Sequence, residues 1–197
     1  MRPDDGRTAR ATRTRQAIID ACLELVEEGD LQPTTPRVAE RAGVSVRSVF
    51  QHFDDIEGLF AAVADRVLER LAGLVLCVDP TLDIERRLPL VARQRAALLE
   101  VLTPIRRASL VNGWDSVVVT ERLRLGQAYL RAEVEGAFAG ELDAAGDGRD
   151  QLLVVLDTVL SWATWEHIRT SNGLDVPAAT AVVERQLRAA LGLSPGT

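Results

Sequence analysis

Lysine is absent from this sequence, and all 23 of its basic residues are arginine. The planar guanidinium of arginine binds carboxylates, phosphates and guanine edges through paired hydrogen bonds, which suits these groups better than a point charge does. An arginine-only chain is therefore compatible with nucleic-acid contact, although composition alone does not establish it.

Metal-ligating side chains are scarce. The two cysteines, Cys22 and Cys77, lie far apart within apolar helical patterns, which favours buried reduced thiols over a disulfide or a metal pair. The two histidines, His52 and His167, complete no zinc or iron spacing with them. We therefore expect neither a metal centre nor a cofactor.

Long apolar runs and catalytic fingerprints are missing as well. No uncharged run approaches the ~18 residues of a membrane span, and the opening MRPDDGRTAR precedes no apolar segment of the signal-peptide type. No nucleophile elbow, Walker loop or dinucleotide fingerprint occurs, and Gly146-Asp147-Gly148 follows no strand pattern. We expect a cytoplasmic protein that has no membrane contact, is not an enzyme and carries no catalytic residues.

Positive charge is concentrated at the N-terminus of an acidic chain. The formal net charge is −6 at pH 7. Residues 1–15 hold five arginines and two aspartates, a balance of +3, whereas the remaining residues include 18 basic and 27 acidic side chains, a balance of −9. A chain with this net charge is not expected to bind DNA nonspecifically through its overall charge. Any contact with DNA must depend on locally placed side chains.

The hydrophobic pattern has the 3.6-residue period of helices, and strand signals are almost absent. We predict an all-α fold of about nine helices. Gly29 is expected to close the first, Thr35 with Pro36 to open the second, Ser45 to cap the third, and Asp54 with Glu57 to open the fourth. The predicted helices span residues 14–28, 36–42, 46–52, 55–72, 83–102, 104–112, 116–139, 151–170 and 177–192.

The second and third predicted helices form a helix-turn-helix, and AGVSVRSVFQHF, residues 42–53, supplies its turn and its second helix. In this geometry the second helix of the pair enters the major groove of DNA. Val49, Phe50 and Phe53 are expected to anchor that helix. Val46 and Arg47, with Gln51, then point toward base edges, where arginine can bind guanine and valine can contact a thymine methyl group.

The same spacing also occurs in helical bundles that never touch DNA. However, TPRVAERAGVSVRSVFQHFDDIEGLF, residues 35–60, resembles the DNA-binding domain of the TetR/AcrR family of bacterial transcriptional regulators, and TRQAIIDACLELVEEG fits the helix that precedes it. The resemblance covers about residues 12–72. It implies a flexible arginine-rich arm (1–11), a TetR-type helix-turn-helix domain (12–72, motif about 35–53) and a C-terminal helical ligand-binding and dimerisation domain (73–197).

The resemblance also implies which side chains lie against DNA. Two positions depart from the family pattern, because Phe50 stands where a tyrosine hydroxyl usually reaches phosphate and Ile56 stands where a lysine is usual. Both phosphate contacts are therefore in question, and Arg13 and Arg15 are expected to compensate. The predicted DNA-binding residues are Thr35, Ser45, Val46, Arg47, Ser48, Phe50, Gln51 and His52, with Arg13 and Arg15.

For the C-terminal region the resemblance implies a homodimer and a pocket for a small molecule. The segment LLVVLDTVLSWATWEHI is apolar on nearly every side of a helix, which is typical of a helix that meets both a core and a partner. A single central helix of a monomer would show the same pattern. The large aromatic residues are expected to line the pocket, with plain core packing as the alternative: Trp114, Tyr129, Trp162 and Trp165.

These features together predict a ligand-responsive, sequence-specific regulator that represses transcription. A small molecule would release it from a palindromic double-stranded operator, with coupling through the helix over residues 55–72. The alternative is a helical scaffold or protein-interaction module that does not bind DNA.

Overall fold

The computed structural model describes the backbone of residues 3–74, 78–111 and 117–194, and the side chains of these ranges apart from residues 3–7 and 117–119. All regular elements within these ranges are helical, which confirms the all-α prediction. A 3-10 turn at Gly146–Gly148 and a π turn at His167–Ser171 supplement the α-helices. The α-helices are α1 (Pro3–Glu27), α2 (Thr35–Arg41), α3 (Val46–His52), α4 (Ile56–Leu74), α5 (Ile84–Val111), α6 (Val117–Ala137), α7 (Ala139–Ala144), α8 (Arg149–Val159), α9 (Trp162–Glu166) and α10 (Val176–Ala190).

Helix α1 begins at Pro3, so the segment expected to be a flexible arm is helical here. Proline is favoured at the first position of a helix, since its missing N–H would have no intrahelical acceptor there. The alanines and arginines that follow are strong helix formers. The helix therefore extends eleven residues upstream of its predicted start at Thr14.

Helix α5 is continuous through Pro89 and Pro104, where two separate helices were expected. Each proline removes one backbone hydrogen bond, but packing can offset that loss. Leu88, which precedes Pro89, and Leu99, five residues before Pro104, are buried. Next to Pro104, the hydroxyl of Thr103 donates to the Leu99 carbonyl at 2.6 Å. The predicted helical period is correct, but the predicted break between residues 102 and 104 is not present.

The helix predicted over residues 151–170 is interrupted instead. Ser161 has extended backbone angles (φ −76°, ψ 155°), and its hydroxyl accepts a hydrogen bond from the Thr164 N–H at 3.2 Å. Ser161 thus ends α8 and caps α9. Helix α7 begins at Ala139 and occupies part of the interval between the helices predicted over residues 116–139 and 151–170.

The described chain divides into two compact units. The first comprises Met1–Arg70 and Pro104–Arg124, so the helix-turn-helix lies in it. The inward face predicted for α1 is buried, namely Ile18, Cys22, Leu25 and Val26. Each such side chain contributes about 1.5–3 kcal/mol when removed from water.

Cys22 is a free thiol, and burial raises its pKa to about 12, so the expectation of a buried reduced cysteine is confirmed for this residue. Cys77 lies outside the described residues.

The second unit comprises Leu71–Thr103 and Leu125–Thr197. The division assigns residues 104–124 to the first unit, whereas the sequence-based boundary at residue 72 places them in the C-terminal domain; that boundary stays a prediction. No helix in the described ranges is both long and apolar enough to cross a bilayer. The core of the second unit contains Leu88, Leu99, Phe138, Leu142, Leu156, Trp165 and Leu187.

Candidate DNA-binding surface

The turn between α2 and α3 depends on Gly43. Its φ is +66°, in the left-handed region that glycine adopts without strain. The Gly43 N–H donates to the Glu40 carbonyl at 3.1 Å, and the Val44 N–H donates to the Ala39 carbonyl at 2.9 Å. This pair of bonds is a Schellman motif, which ends α2 and reverses the chain.

Helix α3 starts at a capped position. Ser45 is extended (φ −77°, ψ 152°), and its hydroxyl accepts a hydrogen bond from the Ser48 N–H at 3.1 Å, as predicted. The helix is anchored by Val49 and by its C-terminal flanking residue Phe53, which are 3% and 6% exposed. Their separation of four residues puts both side chains on one face.

The opposite face of α3 is open to solvent. Val46 is 39% exposed and Phe50 is 55% exposed, and the side chains of Arg47 and Gln51 are also exposed. The expectation that Phe50 anchors the helix was wrong. Phe50 follows Val49 by one position, which turns it about 100° around the helix and away from the core. The exposed stripe is therefore Val46, Arg47, Phe50 and Gln51, which we call the α3 outer face.

Two arginines of the helix-turn-helix form ion pairs, and a third, Arg47, does not among the described residues. Arg37 lies 2.5 Å from Asp30, and Arg41 lies 2.7 Å from Glu28. The hydrogen bond from Arg41 lowers the pKa of the Glu28 carboxyl. Among the residues that the structure describes, Arg47 lies within ion-pair distance of no acidic side chain. Its charge is thus available to an external group.

The other predicted contacts surround α3. Arg15 is exposed, and its guanidinium lies 4.9 Å from the centroid of the Phe53 ring, a cation–π distance. This places Arg15 beside the C-terminal end of α3. Arg13 is exposed on α1, and Ser48 and His52 are half-buried in α3.

Two helix starts lie one residue away from their predicted positions. Thr34, not Thr35, has the extended cap conformation (φ −82°, ψ 153°) and makes no side-chain cap bond, while Thr35 is the first helical residue and is half-buried. Asp55, not Asp54, caps α4 by accepting the Gly58 N–H at 2.7 Å. Ile56 begins α4 and is 37% exposed.

The aromatic residues predicted to line a pocket have other surroundings. Trp165 is 1% exposed, and its indole N–H donates to Glu100 Oε1 at 2.8 Å. The indole N–H of Trp162 donates to Thr103 Oγ1 at 3.1 Å, and Tyr129 is 47% exposed. Trp114 lies outside the described residues. Assigning these four residues to a pocket stays a prediction.

The second unit contains a cavity of about 220 Å³, lined by the segment around Val78 and by α5 and α6. Trp162, Trp165 and Tyr129 do not line it, but Arg95 does. Sequence reasoning missed Arg95. A signal was available, because Arg95 lies on the α5 stripe formed by Leu88, Val91 and Leu98, where a charged residue stands in an apolar series.

The first unit thus has a helix-turn-helix with an arginine on the exposed face of its second helix, the form of a DNA-binding domain. Residues 18–63 match the family described as bacterial regulatory proteins, tetR family. The helix-turn-helix region is therefore similar to that of the TetR family, as the sequence resemblance predicted.

Solved structures show the same fold over most of the chain. A protein of Mesorhizobium loti MAFF303099 described as a TetR-family transcriptional regulator matches with a TM-score of 0.64 at 23% identity, covering 93% of this chain and 97% of that one. A transcriptional regulator of Rhodococcus sp. Rha1 matches with a TM-score of 0.65 at 19% identity, covering 92% and 99%. A TetR-family regulator of Pseudomonas syringae pv. tomato matches with a TM-score of 0.56 at 22% identity, covering 90% and 95%. No curated protein matches the chain significantly.

Proposed function

We propose that this protein is a sequence-specific, DNA-binding transcriptional regulator. The observation that carries the proposal is the α3 outer face, where Arg47 and Gln51 are exposed and Arg47 meets no acidic side chain among the described residues. A guanidinium in the major groove donates to guanine O6 and N7, and an amide such as that of Gln51 pairs with adenine. Val46 supplies an apolar contact for a thymine methyl group.

Residues around α3 would bind the sugar-phosphate backbone. Arg15 beside Phe53, and Arg13 two residues earlier, carry the positive charge that phosphate requires. Phosphate contacts fix the position of a protein on the duplex, while base contacts select the sequence. The polar side chains proposed for this positioning role are Thr35, Ser45, Ser48 and His52.

The regulator is proposed to act as a homodimer on a palindromic operator. Helix α8 buries Leu153 and Leu156, while Val154 and Val155 on its other side are 52% and 41% exposed. Adjacent exposed valines support burial against a second copy, since a two-fold axis apposes the same patch on both subunits. Two recognition helices would then read two half-sites one helical turn apart.

Release by a small molecule is the second part of the proposal. A ligand that binds one form of the dimer better than another shifts the population toward that form. The change in DNA affinity is limited by the difference between the ligand's affinities for the two forms. Operator and ligand must then weaken each other by the same factor. Repression, and coupling through α4, belong to this part of the proposal.

The test is an electrophoretic mobility shift with the DNA upstream of the protein's own gene. We expect a complex that unlabelled fragment displaces and random duplex does not, and whose affinity falls steeply with salt. Binding that is equal on both duplexes would contradict sequence-specific regulation.

A scaffold function remains the competing proposal, favoured by the exposed Phe50 and Ile56, which could bind another protein. It predicts that the same assay shows no DNA complex that the unlabelled fragment displaces in preference to random duplex. It also predicts that replacing Phe50 by a polar residue leaves all DNA affinities unchanged.

A further inference from the structure

Among its described residues the second unit buries three arginines, and two of them are ion-paired. Arg87 is 3% exposed and pairs with Glu141. Arg188 is 9% exposed and lies 2.5 Å from Glu85. Pairing is the usual condition for burying such a group, because a charge removed from water needs a compensating partner.

Arg95 is the exception among these three. It is 6% exposed, and its Nη2 donates to the Leu130 carbonyl at 3.0 Å. No carboxylate lies within ion-pair distance of it among the described residues; Asp157, one of the nearest acids, instead pairs with Arg131 at 3.1 Å. A guanidinium has five N–H donors, so donors beyond the one that binds Leu130 are open to a ligand or to water.

The Arg95 side chain nevertheless stays charged at neutral pH. Burial lowers the pKa of its guanidinium to about 10, while the nearby carboxylates of Asp157 and Glu133 act in the opposite direction. A pKa of this size leaves the group protonated at pH 7. A positive charge therefore lies on a largely buried side chain that has one carbonyl partner and no carboxylate in direct contact among the described residues.

Arg95 is one of the residues that line the cavity. The lining includes the aliphatic side chains of Val78, Val91, Leu98 and Val134, together with the polar groups of Gln94 and Glu133. The volume of this cavity is about 220 Å³. The space fits a small molecule with one charged end and a short apolar body.

We propose that the cavity binds a small amphipathic carboxylate whose oxygens accept hydrogen bonds from Arg95. A carboxylate matches the fork of the guanidinium in a bidentate arrangement, and its hydrocarbon part replaces water against the aliphatic wall. This identifies the chemical class of the effector and so rests on the proposed function. Glu133 limits the site to ligands with a single negative group, because a second would be repelled.

The test uses full-length protein and straight-chain carboxylates from butyrate to octanoate, with hexanamide and inorganic phosphate as controls. Isothermal titration should show saturable binding of at least one carboxylate and none of hexanamide or phosphate. Arg95→Met should weaken that binding by at least about tenfold, the effect of losing a charged hydrogen bond. Arg93→Met removes an exposed arginine two positions earlier on α5 and should leave the affinity within about twofold, as surface substitutions do.

Two further variants keep the result decisive. Glu133→Gln should tighten carboxylate binding by removing a repelling charge. Arg95→Lys keeps the charge but loses the fork, so it should bind more weakly than the unaltered protein, and it decides the matter if Arg95→Met does not fold.

The proposal is overturned if no carboxylate in the series binds, if hexanamide or phosphate binds equally well, or if the Arg95 variants bind like the unaltered protein. Operator binding measured without any carboxylate separates this failure from failure of the regulator proposal. A protein that binds operator but no carboxylate refutes only the effector class. One that binds carboxylate but no operator refutes the regulator.

Discussion

The two units use the same side chain in opposite ways. In the first, Arg47 lies exposed on the outer face of a short helix, whereas in the second, Arg95 lies buried beside a cavity. A duplex can be read only by groups that protrude into its grooves, while a small molecule gains most from a site that encloses it. The position of an arginine relative to the core therefore indicates the size of the partner it can bind.

The difference also concerns stability. Exposed Arg47 remains hydrated, so its presence has little effect on folding. Buried Arg95 loses its hydration, which costs free energy that neighbouring groups must offset. We expect substitutions on the α3 outer face to change DNA affinity without changing folding stability. Substitutions in the core of the second unit should mainly lower the free energy of unfolding.

The largest effect is expected from Trp165→Ala. The Trp165 side chain is 1% exposed and donates to Glu100, so its removal should lower the free energy of unfolding by about 3–5 kcal/mol. Urea denaturation followed by circular dichroism measures this. Trp162→Ala removes the same side chain from a half-buried position and should cost less. Equal losses would contradict the assignment of Trp165 to the core.

A smaller effect is expected at the start of the recognition helix. Ser45→Ala removes the hydroxyl that accepts the Ser48 N–H and should lower the free energy of unfolding by about 1 kcal/mol. Thr34→Ala is the matched control, because the Thr34 side chain makes no cap bond. If both variants lose the same stability in urea titrations, the Ser45 cap does not hold α3.

Phe50→Tyr should sharpen the comparison by adding a hydroxyl to the exposed face. Since Phe50 is 55% exposed, folding stability should not change, while operator affinity should rise about two- to tenfold if the hydroxyl reaches a phosphate. Fluorescence anisotropy with labelled operator measures the affinity. Unchanged affinity would show that no phosphate lies near this side chain.

The smallest effect is expected from Glu28→Gln on the surface of the first unit. Arg41 holds the pKa of Glu28 below its ordinary 4.5, so the ion pair stabilises the fold above that pH and loses this effect as pH falls through the lowered pKa. The variant should be slightly less stable at pH 7, and the difference should shrink as the pH falls below 4.5 and the Glu28 carboxyl becomes protonated. A difference that stays constant over this range would point to packing rather than charge.

The helix-turn-helix could be predicted from the sequence because its determinants are local. Gly43 has the positive φ that the turn needs, and Ser45 makes the expected cap bond. The one-residue errors at the starts of α2 and α4 arose where identical residues adjoin, since Thr34 and Thr35, or Asp54 and Asp55, have equal capping ability. Backbone angles and hydrogen bonds alone distinguish them.

The second unit was less predictable because its features depend on tertiary packing. Helix α5 continues through Pro89 and Pro104. The burial of side chains along it, which can offset the lost backbone hydrogen bonds, is not visible in the local sequence pattern. The same holds for Arg95, whose neighbours come from α6 and from the segment before α5. The expected aromatic pocket followed a general preference for aromatic walls and stays a prediction, while the cavity beside α5 is lined by aliphatic and polar side chains.

The central claim is that Arg47 reads bases. Anisotropy titrations should compare operator with a scrambled duplex of equal length and charge, using the unaltered protein, Arg47→Ala and Arg93→Ala, which removes an exposed arginine from the second unit. We predict that Arg47→Ala lowers the ratio of the two affinities by about 5- to 150-fold and that Arg93→Ala leaves it unchanged. If Arg47→Ala weakens both duplexes by the same factor, or neither, Arg47 does not read the operator sequence.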